Sequence, residues 1–230
     1  MTIKDNLLVI EENIEKALER AGRKDKVEII AVTKTVEVDR INEAIELGIN
    51  NIGENRVQEL IKKYDIIGNR INYHMIGHLQ SNKVKYIIDK VCLIHSLDRL
   101  SLAKELDKRA KMNNLTINAL LQVNVAEEES KYGLKMDEVI PFLEKILEYD
   151  SIKIKGLMTI APFTENPEEV RWVFRELRKL SQKIDAKAYE GVEMNTLSMG
   201  MTNDYEIAIE EGATMIRVGT GLFGKRNYNR

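Results

Sequence analysis

The chain has 230 residues, 43% of them hydrophobic and 31% charged, which is typical of a globular protein with one large α/β domain or two small ones. Its 35 basic and 37 acidic residues are interspersed, so the sequence indicates no polyanion-binding face, and we expect no nucleic-acid partner. The N-terminal segment is charged, and no stretch approaches the ~20 apolar residues of a membrane span, so we expect neither export nor a membrane.

The first predicted element is an amphipathic helix over residues 5–21. Apolar residues recur there at helical spacing, and Gly22 stands where a glycine often ends a helix. Short apolar runs then alternate with amphipathic stretches, one of which opens with the helix-start signal Asn166-Pro167. The runs, interpreted as strands, cover residues 28–33, 51–53, 72–77, 91–95, 117–125, 154–160, 194–198 and 214–219.

Regular alternation of strands and helices predicts parallel strands joined by helical crossovers. Eight such units at this length fit a closed (β/α)₈ barrel better than an open doubly wound sheet, although the second strand is very short and the eighth helix nearly absent. We therefore predict a single α/β domain over residues 1–230, a TIM-type barrel with an extra N-terminal helix.

The fourth run contains the single cysteine of the chain, Cys92, which has no partner for an internal disulfide. A cysteine inside an apolar run is typical of a buried structural thiol. A chain without disulfides fits a reducing compartment, so we expect a cytoplasmic protein.

A lysine, Lys34, follows the first predicted strand and precedes Thr35. The β-branched run before it is typical of a buried strand, and desolvation at the rim of a core would depress the pKa of its ammonium. Such a lysine is a candidate for Schiff-base formation. The alternative is a solvated lysine that merely ends a strand, and this segment alone does not decide between them.

Small residues and glycines follow the last two predicted strands, where barrels of this type often bind phosphate. We interpret residues 198–204 as a loop that opens a helix, and Gly219-Thr220-Gly221 as a second turn. Hydroxyls from Ser198 and Thr220, close backbone approach at the glycines, Gly200 included, and a helix N-terminus together predict a phosphate site. The alternative is two ordinary glycine turns.

Arg217 lies inside the last strand run, where a guanidinium needs partners if it points into the core. Strand alternation puts Met215 and Arg217 on one face and Ile216 and Val218 on the other. Both faces contain apolar residues, so the pattern leaves open whether Arg217 lies under a helix or points into the barrel mouth and donates to a ligand.

The histidines and the acidic loop give weaker signals. His74 and His78 have a spacing that suits a metal only on a helix, whereas their segment reads as a strand, so no metal is predicted. The roles of His78 and His95 stay open. Lys131 follows an acidic stretch that is most simply a solvated loop, although its side chain has the length to reach the barrel mouth.

Several ordered motifs nevertheless converge on one family along nearly the whole chain. They are Ala31-Val32-Thr33-Lys34, Gly53-Glu54-Asn55-Arg56, His74-Met75-Ile76-Gly77-His78-Leu79-Gln80-Ser81-Asn82-Lys83, Gly156-Leu157-Met158, Leu197-Ser198-Met199-Gly200-Met201 and Ile216-Arg217-Val218-Gly219. In these motifs the chain resembles the pyridoxal-phosphate homeostasis proteins, single-domain relatives of the alanine racemase barrel.

The resemblance implies that Lys34 holds pyridoxal 5′-phosphate as an internal aldimine and that Arg217 faces the pyridine nitrogen. It also implies that the phosphate is surrounded by the matching positions near the last two strands, and that two asparagines line the pocket. Those positions are Ser198, Gly200, Gly219 and Thr220 for the phosphate, and Asn55 and Asn82 for the pocket; Met201 is also expected to bind the cofactor. Three departures from the family pattern are small: Thr202 keeps a hydroxyl where serine is common, Val36 replaces a second lysine found in many members, and Gly221-Leu222 replaces a more usual alanine-isoleucine pair.

The expected function is therefore to bind and hand over the cofactor without robust catalysis. An arginine at the pyridine nitrogen keeps its proton, which leaves the ring a weaker electron sink than one protonated by an acid. Racemisation also needs a second proton donor, which in the racemase belongs to another domain. The expected partners are pyridoxal phosphate, amino acids and apo-enzymes that use it, and we expect a monomer.

Two enzymatic alternatives stay open. One is a weak amino-acid racemase or another Schiff-base enzyme, with Lys34 as one base. The other is a class I aldolase that acts on a sugar phosphate without a bound cofactor, a reaction that also uses a lysine imine.

Overall fold

Eight parallel strands pair in chain order and close into a barrel in the computed structural model, which describes residues 2–224. The strands are β1 (Glu28–Val32), β2 (Asn51–Glu54), β3 (Asn72–Met75), β4 (Leu93–Leu97), β5 (Ile117–Gln122), β6 (Ile152–Met158), β7 (Val192–Met201) and β8 (Met215–Val218). β1 pairs with both β2 and β8, which closes the barrel. The predicted (β/α)₈ fold is confirmed.

Helices follow the strands and cover the outside of the barrel. They are α1 (Ile3–Arg20), α2 (Val38–Glu46), α3 (Val57–Ile67), α4 (Leu100–Met112), α5 (Val139–Ile146), α6 (Arg171–Asp185), α7 (Tyr205–Glu210) and α8 (Thr220–Phe223), with 3₁₀ turns at Ser81–Tyr86 and Pro167–Val170. α1, the predicted extra N-terminal helix, precedes the barrel and packs on α7 and α8. None of the helices in residues 2–224 is both long enough and apolar enough to cross a bilayer.

Local signals in the sequence account for several of these boundaries. Thr2 caps α1 in a reciprocal pair of hydrogen bonds with Asp5, and Gly22 has the positive φ of +64° that ends such a helix. The side chain of Asn166 accepts from the backbone N–H of Glu168, as the helix-start signal predicts. The turn that it caps is 3₁₀, however, and α6 begins only after it.

The strand residues alternate between a core under the helices and the interior of the barrel. Ile216 and Val218 of β8 belong to the large apolar core under the helices, whereas Arg217 lies between them on the opposite face. Two small apolar clusters, separate from that core, occupy the interior. They are Ile30, Val32 and Ile76, and Leu93, Leu120 and Met158. Arg217 therefore points inward, which resolves the orientation that its sequence pattern left open.

β7 extends further than the sequence predicts. Residues 198–201 continue the strand, so the interpretation of residues 198–204 as a loop is wrong for its first half, and only 202–204 separate β7 from α7. Gly200 makes the extension possible, since its φ is +90° and a Cβ there would lie 2.6 Å from the Cβ of Ala208 on α7. The absence of a side chain at Gly200 therefore allows β7 and α7 to pack closely together.

Candidate functional site

A cleft of about 220 Å³ opens at the carboxyl ends of β1, β7 and β8. Five of the predicted site residues line it: Lys34, Met201, Arg217, Gly219 and Thr220. The other residues of its wall are Val32, Pro162, Phe163, Thr164, Pro167, Thr202, Asn203 and Asp204. Barrels of this class bind ligands at this end of the strands, so the cleft is the candidate site.

Lys34 sits just beyond β1, on a backbone that is held from both sides. The carbonyl of Thr33 accepts a 2.6 Å hydrogen bond from the ammonium of Lys63, and the N–H of Thr35 donates to Glu59 at 2.9 Å. Thr35 has φ +61°, a conformation that costs energy in a β-branched residue and persists only where neighbours enforce it. Two residues of α3 thus fix the direction in which the chain presents Lys34.

Behind Thr33 lies a buried ion pair. The carboxylate of Glu54 is fully buried and accepts from the hydroxyl of Thr33 and the ammonium of Lys63 through one oxygen. Its second oxygen, Oε2, has no hydrogen-bond partner among the residues that the structure describes. Burial raises the pKa of Glu54, and the nearby charge of Lys63 opposes that shift.

Arg217 brings a guanidinium from β8 to the floor of the cleft. Its Nη1 donates to the hydroxyl of Ser198 at 2.7 Å, and its Nη2 donates to the carbonyl of Thr159 at 2.8 Å. Burial lowers the pKa of Arg217 to about 10, so the side chain keeps its charge at neutral pH. A guanidinium carries five N–H donors, and Ser198 and Thr159 accept from two of them.

The two residues of β7 that were predicted to contact phosphate, Ser198 and Gly200, do not line the cleft. The hydroxyl of Ser198 is fully buried inside the barrel, between Arg217 and His95. The sequence predicts Ser198 at the boundary between the seventh strand and its loop, whereas in the structure it lies within β7 and its side chain points into the barrel. The predicted contact of these two residues with phosphate stays a prediction.

Hydroxyl groups meet at the other end of the cleft, between β7 and β8. The Thr202 hydroxyl accepts from the N–H of Gly221 at 3.2 Å and from the hydroxyl of Thr220 at 3.4 Å. Gly219 lies beside them in the cleft wall. Hydroxyls and glycine backbone at the ends of the last two barrel strands form an arrangement suited to an anionic group.

Asp204 is a cleft residue that the sequence reasoning missed. Its carboxylate accepts from the N–H of Met201 at 2.5 Å and so bends the chain between β7 and α7. Burial raises the pKa of this carboxyl group. An acidic residue immediately before a helix was the available signal, since such residues often stand at helix starts.

The segment after β6 is the second part of the cleft that was missed. Pro162, Phe163 and Thr164 form one wall, and the ring of Phe163 is 81% exposed. Lys131 binds this segment by donating to the carbonyl of Ala161 at 3.1 Å. Lys131 therefore comes close to the barrel mouth, where the sequence reasoning preferred a solvated loop.

Asn55 and Asn82 lie on the same edge of the barrel but outside the cleft wall. Asn55 follows β2 and is half-buried, with its backbone tightly packed against Gly77, where a Cβ would come within 2.4 Å of the Asn55 carbonyl oxygen. Asn82 is exposed in the 3₁₀ turn after β3. Their predicted place in the cofactor pocket stays a prediction.

The histidines do not converge on a metal site. His74 points into the barrel, whereas the ring of His78 stacks on Tyr132 with 3.9 Å between ring centroids. Within residues 2–224, no group of three or more histidine, cysteine or acidic side chains has an arrangement that would hold a metal ion.

Comparisons with known proteins match the chain over almost its full length. The family model described as the N-terminal domain of alanine racemase matches residues 6–227. A pyridoxal phosphate homeostasis protein of Aquifex aeolicus is 48% identical over 219 residues, which cover 94% of this chain and 95% of the relative.

Two solved structures have the same fold. A protein from Bifidobacterium adolescentis, described only as an unknown protein, is 37% identical, with a TM-score of 0.91 and coverage of 96% of this chain and 94% of that one. PipY of Synechococcus elongatus, solved with pyridoxal phosphate bound, is 32% identical, with a TM-score of 0.83 and coverage of 97% of this chain and 100% of that one.

Proposed function

The chain belongs to the family of pyridoxal phosphate homeostasis proteins, which is built on the alanine racemase N-terminal domain, and we propose that it binds pyridoxal phosphate through a Schiff base to Lys34. One observation carries the proposal: the side chains of Lys34 and Arg217 line the same cleft at the carboxyl ends of the strands. The structure of its relative PipY with pyridoxal phosphate bound supports this choice of ligand.

The residues of the cleft fit each part of that molecule. The amine of Lys34 would take the aldehyde carbon, and the cleft-side N–H groups of Arg217 would donate to the pyridine nitrogen. The hydroxyls of Thr202 and Thr220, with the backbone at Gly219, would hold the phosphate. When bound, the cofactor supplies an aldehyde that links reversibly to primary amines and a ring that withdraws electrons.

Holding and release need neither an oxidant nor a reductant. The amine of Lys34 condenses with the aldehyde, one C=N bond forms, and one water molecule leaves. A second primary amine releases the cofactor by taking the place of Lys34 at the same carbon. Free amino acids and the active-site lysines of apo-enzymes are the proposed acceptors, because both present primary amines.

We further propose that the protein does not catalyse amino-acid chemistry efficiently. Arg217 keeps its proton and can only donate a hydrogen bond, so it leaves the pyridine nitrogen without a full positive charge. Such a ring stabilises a carbanion poorly. The relatives named as homeostasis proteins support this reading.

We also propose that the protein is a monomer, because the closed barrel buries its core within one chain.

Borohydride reduction tests the attachment. Reduction of the protein with pyridoxal phosphate, followed by peptide mass mapping, is expected to place the adduct on Lys34. Lys34→Ala is expected to lose both the adduct and the yellow colour, whereas the control Lys24→Ala, at an exposed position outside the cleft, keeps both. An adduct found only on other lysines would refute the proposal.

A further inference from the structure

A continuous row of hydrogen bonds runs from Arg217 through the interior of the barrel. Ser198, which accepts from Arg217, lies 2.9 Å from Nδ1 of His95. Nε2 of His95 lies 2.9 Å from Nδ1 of His74, and Nε2 of His74 lies 3.1 Å from Oδ1 of Asn51. The row thus spans five strands and connects the floor of the cleft to the amino-terminal end of β2.

The two ends of the row fix the direction of every bond in it. A guanidinium only donates, so Ser198 accepts from Arg217, whereas Oδ1 of Asn51 only accepts, so His74 carries its proton on Nε2. With both rings neutral, Nδ1 of His74 accepts from Nε2 of His95, and Nδ1 of His95 is left to accept the hydroxyl proton of Ser198. The oxygen of Asn51 also accepts from Asn72 at 3.1 Å. The opposite direction would set the lone pairs of His74 and Asn51 against each other.

Both histidines stay neutral in this arrangement. His95 is fully buried and His74 is 3% exposed, and burial lowers the pKa of His74 to about 4 and that of His95 well below its ordinary value. The charge of Arg217 and the neighbouring His74 act in the same direction on His95. A neutral imidazole has one donor and one acceptor, which is what a directed row requires.

We propose that His95 is a positioning residue that sets the hydrogen-bond direction of Ser198 and thereby holds Arg217 in place beneath the cofactor. The acceptor Nδ1 of His95 draws the hydroxyl proton of Ser198 away from the guanidinium. Without that acceptor the hydroxyl is free to turn its proton toward Arg217, and the guanidinium has to move. This inference rests on the proposed role of Arg217 at the pyridine nitrogen.

Two substitutions of His95 separate its two nitrogens. His95→Asn places an amide oxygen close to the position of Nδ1, so it accepts from Ser198 but does not reach His74. His95→Gln places its amide near Nε2, so it reaches His74 but does not serve Ser198. Both variants leave a polar amide in the same buried place, and a role limited to core stability would affect both in the same way.

The measurements are the absorbance maximum of the bound cofactor and its dissociation constant. His95→Gln is expected to shift the maximum and to weaken binding roughly tenfold, since the hydrogen bond from the charged Arg217 to Ser198 is lost. His95→Asn is expected to keep the wild-type maximum. Equal spectra in the two variants, or a larger shift in His95→Asn, would overturn the proposal.

Nitrogen-15 NMR of the cofactor-free wild-type protein gives a test that needs no variant to fold. Both His74 and His95 are expected to be neutral with the proton on Nε2 at pH 7. A proton on Nδ1 of His95, or a charged ring, would refute the inference. The failure of the proposed function would be recognised separately, because the wild-type protein would then take up no cofactor on Lys34.

Discussion

The buried ammonium of Lys63 lies against the buried carboxylate of Glu54, and it also donates to the carbonyl of the residue that precedes Lys34. A buried ion pair of this kind contributes little net stability compared with a well-packed apolar pair, but breaking it by removing one partner is costly. Its more direct effect is geometric, because it fixes the chain at the end of β1. The orientation of Lys34 therefore depends on α3 and β2 as well as on its own strand.

Replacement of Lys63 by Met is expected to destabilise the fold by about 3–5 kcal/mol, because Glu54 is left buried without its counter-charge. Urea unfolding measures the change. Lys62→Met is the matched control, since Lys62 is the exposed neighbour on the same helix. The double variant Glu54→Gln/Lys63→Met is expected to recover part of the loss. Equal effects of the two single lysine variants would contradict the importance of the ion pair.

The buried histidine His74 predicts a specific loss of stability in acid. Its pKa is about 4 in the folded protein, below its ordinary value of 6.5, so the unfolded chain binds more protons between these two values. The stabilising contribution is complete above pH 6.5 and is lost as the pH falls toward 4. Relative to His74→Gln, the wild type is expected to lose about 3 kcal/mol across this window. If the free energy of unfolding changed by the same amount in both proteins between pH 6.5 and pH 4, the prediction would be contradicted.

Arg217→Lys is expected to shift the absorbance maximum of the bound cofactor, because an ammonium does not reproduce the geometry of the guanidinium fork. Affinities for pyridoxal phosphate and for pyridoxal, which lacks the phosphate, separate the two ends of the cleft. Both affinities are expected to fall in parallel, with their ratio unchanged. A fall in the ratio would mean that Arg217 contacts the phosphate.

Thr202→Val, unlike Arg217→Lys, is expected to change the ratio of the affinities for pyridoxal phosphate and pyridoxal. Valine keeps the shape of threonine but removes the hydroxyl that meets Thr220 and Gly221. The ratio of pyridoxal phosphate to pyridoxal affinity is expected to fall about fivefold, the effect of one hydrogen bond of ~1 kcal/mol. Thr164→Val, in the opposite wall of the cleft, is the control. An unchanged ratio in Thr202→Val would place the phosphate elsewhere.

Exchange of the α-hydrogen of amino acids with solvent deuterium tests the proposed lack of efficient catalysis. The protein with bound pyridoxal phosphate is expected to exchange the hydrogen no faster than the free cofactor, since the ring lacks a protonated nitrogen. Proton NMR follows the exchange. Faster exchange that disappears in Lys34→Ala would identify an enzyme instead.

The sequence predicts the barrel well because the signals for its strands and helices each lie within a few neighbouring residues. Apolar runs of strand length between amphipathic helices mark parallel units, and Gly22, Gly48 and Gly212 have the positive φ values that the helix ends require. Strand ends were predicted less accurately: the end of β7 lies three residues later than predicted, and the end of β5 three residues earlier. The small residues around Gly200 resemble a loop in sequence, and only their pairing with β6 and β8 in the closed barrel makes them a strand.

The pocket was predicted in part for the same reason. Lys34, Gly219 and Thr220 follow directly from strands, and the ends of parallel strands in a barrel lie on one edge. The wall formed by Pro162 and Phe163 comes from a loop whose course depends on its packing. Hydrophobic periodicity in the sequence does not predict the course of such a loop.

The sequence by itself determined the order of strands and helices and the position of Lys34 at the end of the first strand, because hydrophobic periodicity and turn residues act over a few neighbours. Only the tertiary structure decided which face of β8 is inside, because both faces of a barrel strand are buried and alternation does not distinguish them. That decision brings Arg217 to Ser198, and Ser198 to His95 over a separation of 103 residues. Contacts of this range arise when the barrel closes.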